Sequence, residues 1–68
     1  MTALLAIFPG ARDGIILRTS GGSVCACVHC LPILGVTAPG LWRLDWPEDE
    51  SAAPNATKLA DLPALPDL

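Results

Sequence analysis

The chain has 68 residues, 51% of them apolar, and a net charge of −3 from four basic and seven acidic side chains. A body this small buries only about 60% of the surface its unfolded chain exposes, so this apolar content calls for other protein chains to cover part of it. No basic cluster is present that could neutralise phosphates, which excludes nucleic acid as the expected partner.

Charge is uneven along the chain. Arg12, Arg18 and Arg43 against Asp13 and Asp45 leave residues 1–46 at +1, while Lys58 against Glu48, Asp49, Glu50, Asp61 and Asp67 leaves residues 47–68 at −4. This predicts a near-neutral β-rich body over 1–46 and an acidic, proline-containing tail over 47–68 that packs on a partner.

The first apolar run, Ala3–Phe8, ends at the breaker pair Pro9-Gly10. It lacks a preceding basic region and is too short for an export signal, so no signal peptide is expected. Asp13-Gly14 marks a turn into Ile15–Thr19, rich in β-branched residues. The turn Ser20-Gly21-Gly22-Ser23 then predicts a hairpin between 15–19 and a strand over 24–30. A fourth run, Ile33–Val36, is closed by Ala38-Pro39-Gly40. The fifth, Leu41–Trp46, alternates cleanly. In an extended chain Trp42, Leu44 and Trp46 share one face, and Arg43 and Asp45 share the other. Five short strands divided by Gly and Pro turns predict a small antiparallel sheet or a partly open barrel.

From Pro47 the composition shifts. Glu48, Asp49 and Glu50 are consecutive and fan outward as a solvated linker rather than pairing as general acid and base. Asn55 is placed to cap a short helix running to Leu62. In the final segment the prolines Pro63 and Pro66 are three apart, which favours a polyproline II stretch. Such a stretch can dock in an apolar groove through Leu62, Pro63, Leu65, Pro66 and Leu68. Trp42 and Trp46 are the other expected partner contacts, because tryptophan is enriched in binding hot spots.

A membrane span is not expected. No Asp, Glu, Lys or Arg occurs between Thr19 and Trp42, but the dense apolar part, Val24–Val36, contains Pro32 and falls short of the roughly 18 residues a spanning helix needs.

The chemistry-bearing residues are concentrated in Val24-Cys25-Ala26-Cys27-Val28-His29-Cys30, which holds all three cysteines and the single histidine. An odd cysteine count within six residues is not a disulfide scaffold. A bridge here would close a small loop and remove little unfolded-state entropy. Reduced thiols are expected, in an intracellular setting or within an assembled particle.

Cys25, Cys27, His29 and Cys30 are the candidate metal ligands, since thiolate and imidazole are the standard zinc donors. On a strand, however, alternate positions lie about 6.5–7 Å apart, whereas sulfurs sharing one zinc lie under about 4 Å apart. No second Cys or His pair exists elsewhere. A strand geometry therefore predicts either buried, metal-free cysteines or half of a zinc or iron–sulfur site completed by another chain.

Cys27-Val28-His29-Cys30 resembles the active-site tetrapeptide of the thioredoxin-like oxidoreductases. That resemblance covers four residues and implies redox catalysis only within a βαβ framework, which this pattern does not provide. Ser20 and Ser23 lie in no nucleophile elbow, and the SGGS turn lacks the Gly-Lys-Ser/Thr ending of a phosphate loop.

With no complete catalytic set, the sequence predicts a non-enzymatic accessory subunit of a larger assembly, of the kind found in virus particles and multisubunit complexes. The alternatives are a metal- or cluster-binding module and a small membrane-associated peptide.

Overall fold

The computed structural model describes residues 1–49 and 51–64. Four strands, β1 (Thr2–Ile7), β2 (Ile15–Thr19), β3 (Gly40–Asp45) and β4 (Asn55–Ala60), form one open antiparallel sheet in the order β2-β1-β3-β4. No helix occurs among the described residues. The molecule is mainly β, with four strands among the described residues instead of about five.

β1 and β2 are joined through a tight turn. Pro9 and Gly10 occupy its centre, Ala11 N donates to Phe8 O at 3.0 Å, and Gly10 has φ 86°. Proline followed by a positive-φ glycine is the requirement of a type II turn. Leu5 then sits opposite Ile16 on one side and Trp42 on the other.

β2 and β3 flank β1 on opposite sides, and each is antiparallel to it. They are therefore parallel to each other. Parallel strands cannot be joined by a hairpin and need a crossover of a dozen or more residues. Residues 20–39 supply that crossover and cover one face of the sheet. This is why the expected strands over 24–30 and 33–36 do not form. β2 pairs with β1, not with 24–30, because the Pro9-Gly10 turn brings its neighbour back at short range.

The core lies between sheet and crossover. Ala3, Leu5 and Ile7 of β1 and Trp42 and Leu44 of β3 meet Ala26, Leu31 and Val36 of the crossover. Leu5 and Leu44 are fully enclosed. Trp46 packs against the margin of this cluster, as the alternation of Trp42, Leu44 and Trp46 predicts. Burial of these side chains is the dominant stabilising term.

The expected helix from Asn55 to Leu62 is instead strand β4 through Ala60. Asn55 pairs with Asp45, Ala56 with Leu44 and Thr57 with Arg43, so the sheet extends past residue 46. A helix of only seven residues gains little after nucleation, whereas an edge strand here places Ala56 against the core. Leu62 is half-buried and Pro63 exposed; Leu65, Pro66 and Leu68 lie outside the described residues. No helix among the described residues is long and apolar enough to cross a membrane.

Candidate metal centre

The crossover does not run straight past its cysteines. From Cys27 to Gly35 it coils into successive helix-like turns. Leu31 N donates to Cys27 O at 3.1 Å and Leu34 N to Cys30 O at 3.0 Å. The coil is closed by paired hydrogen bonds, Val36 N to Leu31 O at 3.0 Å and Gly35 N to Pro32 O at 3.1 Å, with Gly35 at φ 85°. That is the Schellman arrangement, including the apolar contact expected between its flanking residues. Leu31 and Val36 are those residues, and both are buried.

The coil folds the thiols together. Cys25 Sγ lies 3.3 Å from Cys27 Sγ, and Cys27 Sγ lies 3.4 Å from Cys30 Sγ. All three sulfurs are within 4.8 Å of one another. The separation expected for a strand does not apply, because these residues are not in one. Tetrahedral zinc with bonds of about 2.3 Å spaces its sulfurs near 3.8 Å, within the range observed. All three cysteines are free thiols.

His29 does not join them. Its ring is exposed and stands outside the three-sulfur group. Thiol hydrogen bonds with Cys25 and then Cys30, followed by the nearby backbone of Cys30 and His29, lower the Cys27 thiol to about 7. Donors aimed at a sulfur favour its thiolate. Cys30 is pushed up to about 12, first by its hydrogen bonds with Cys25 and Cys27 and then by desolvation. The contacts between Cys27 and Cys30 thus push these two thiols in opposite directions.

The loop before β2 holds this segment in place. Asp13 Oδ1 accepts a hydrogen bond from Val28 N at 2.9 Å, and Gly14 N donates to Ala26 O at 2.7 Å. A side chain at Gly14 would come within 3.3 Å of both Ala26 Cβ and Ile7 Cγ1, so the close approach of loop to sheet favours glycine there. Sequence reasoning missed Asp13 and Gly14, which reach the cysteines only through the fold. For Gly35 a local signal exists: an apolar residue four places before a glycine and another just after it.

Cys25 and Cys30 also line a surface cleft of about 380 Å³, shared with Met1, Val24, Leu34 and Trp46. Liquid water occupies about 30 Å³ per molecule, so a further small ligand fits beside the sulfurs. Trp42 belongs elsewhere. It is buried in its own chain's core, and its Nε1 donates to Ala38 O at 2.9 Å. Comparison with protein-family models, curated proteins and solved structures found no match.

Proposed function

We propose that this chain is a small metal-binding module holding one thiophilic d¹⁰ ion, zinc foremost, through Cys25, Cys27 and Cys30. The observation that carries this reading is the convergence of three Sγ atoms to within 4.8 Å. Soft thiolates select zinc and copper(I) over harder cations. In a four-iron cluster each cysteine binds its own iron, and in a two-iron cluster a third cysteine must reach the second iron, so three sulfurs this close together favour a single ion. Three protein ligands leave a fourth position toward the cleft, for water or for a residue of another chain.

The test is titration of the reduced full chain with Zn²⁺ and with Co²⁺ as a spectroscopic probe. One equivalent should bind with thiolate-to-cobalt charge transfer, and Cys27→Ser should abolish it. A chain that binds neither ion under reducing conditions sinks the proposal.

A second reading, the non-enzymatic accessory subunit, draws on a different observation. Ile15 and Leu17 on edge strand β2, Ile33 on the crossover and Leu59 on β4 are all exposed. Exposed apolar groups on sheet edges favour contact with other protein chains. Both readings hold together if the metal module docks on a partner.

A further inference from the structure

We propose, resting on the metal-binding reading, that the site is redox-gated: oxidation joins Cys27 to Cys30 and expels the ion. The three sulfurs are not equivalent in this respect. Cys30 N donates to Cys27 O at 3.0 Å, which closes a hydrogen-bonded β-turn between these two residues. Such a turn holds its end Cα atoms within about 7 Å, and a disulfide spans about 4.4–6.8 Å between Cα atoms. The sulfurs themselves already lie 3.4 Å apart. Cys25 is outside the turn, on a stretch with no hydrogen-bonded closure to Cys27. Its sulfur is as close, 3.3 Å from Cys27 Sγ, but no hydrogen-bonded turn holds the two backbones together.

The oxidant is a small-molecule disulfide of the glutathione class. Cys27 thiolate attacks one of its sulfurs, forming a mixed disulfide and releasing one thiolate. Cys30 thiolate then attacks the Cys27 sulfur, forming the internal bridge and releasing the second thiolate. Two protein thiolates are oxidised and one external disulfide is reduced to two thiolates. The ion keeps a single protein ligand, Cys25, and departs as the free cation. Cys27 is itself partly exposed, and a cleft lined by Cys25 and Cys30 lies beside it, which gives the oxidant access. A reductant of the same class reverses the sequence and restores the site.

The test treats zinc-loaded and metal-free full chain with oxidised glutathione. Zinc release is read with a chromophoric chelator, and thiol state by alkylation and peptide mass mapping. The metal-free chain should form the Cys27–Cys30 bridge with Cys25 still alkylated. The loaded chain should lose its bound zinc in proportion to bridge formed. Cys30→Ser should stop at a glutathione adduct on Cys27, and Cys25→Ser should still bridge in the metal-free state. A bridge through Cys25, or zinc retained after bridging, overturns the inference and leaves the metal reading standing. A chain that never takes up zinc overturns the metal reading instead, whatever bridge it forms.

Discussion

The carboxylate of Asp13 accepts a 2.9 Å hydrogen bond from the backbone N–H of Val28, between Cys27 and Cys30 in sequence. This contact spans fifteen residues and ties the turn before β2 to the segment that gathers the sulfurs. Asp13→Ala should therefore loosen the site without dismantling the sheet. A single such hydrogen bond contributes about 0.5–1.5 kcal/mol, equivalent to roughly 2- to 12-fold in affinity. Competition with a zinc chelator should show that weakening while far-ultraviolet circular dichroism stays unchanged. Unaltered affinity would mean the coil holds the sulfurs unaided.

His29 and the cysteines should separate cleanly. His29→Ala removes only an exposed ring that stands outside the three-sulfur group. Cobalt charge transfer should persist in His29→Ala and vanish in Cys30→Ser. Loss of the band in His29→Ala would place the imidazole in the ligand set.

Metal-free thiol reactivity should follow the asymmetry of the cluster. A thiol whose value is lowered becomes thiolate, and so nucleophilic, at lower pH. Cys27, lowered to about 7, should be alkylated by iodoacetamide with a midpoint near neutrality. Cys30, raised to about 12, should lag at every pH below that value. Peptide mapping of alkylation across a pH series measures both. A common midpoint near 9 for the two would show that the sulfurs do not converge in solution.

Gly35 ends the coil with φ 85°, and a Cβ there would meet only Ala56 Cβ at 3.5 Å. Space is available, so conformation alone sets the penalty for Gly35→Ala. Left-handed backbone costs a non-glycine residue about 1–2 kcal/mol. Urea unfolding should register that loss. Gly35→Asn should recover part of it, because asparagine tolerates this region. Equal stability of all three chains would argue against the left-handed closure.

Gly40 opens β3 under a different constraint. At φ 146°, a Cβ would lie 2.7 Å from both Ala60 O and Lys58 Cε. Lys58 can swing away, but the Ala60 carbonyl belongs to β4 backbone. Gly40→Ala should shift the β3–β4 pairing and lower stability by roughly 1–3 kcal/mol, the range of strained backbone positions. The hydrogen-exchange protection of β4 amides should fall more than that of β1. Uniform protection loss would point to global destabilisation instead.

Much of the sheet was legible in the residues. Alternation of Trp42, Leu44 and Trp46 with Arg43 and Asp45 marks a half-buried strand, and β3 is one, buried on the expected face. The Pro9-Gly10 turn and the β-branched run after Asp13-Gly14 place β1 and β2. The misreadings share a cause. Val24–Cys30 and Ile33–Val36 are short apolar runs, and such runs bury equally well as strand or as coil against a sheet. Which form they take depends on strand order, which is not a local property. Asn55–Ala60 shows the reverse: a segment with a helix-capping residue becomes an edge strand, because pairing with β3 outweighs a weak local preference.

The sequence alone determined that three soft ligands and one imidazole lie within six residues, on a chain with no other cysteine or histidine. It also determined the apolar faces from which a sheet could form. Only the tertiary structure decided that the sulfurs meet and the ring does not. β1 takes the centre of the sheet, so the chain from β2 to β3 must cross a face. Burying Ala26, Leu31 and Val36 against that face winds the crossover into turns. Those turns, pinned by Asp13 and Gly14, bring Cys25, Cys27 and Cys30 to one point.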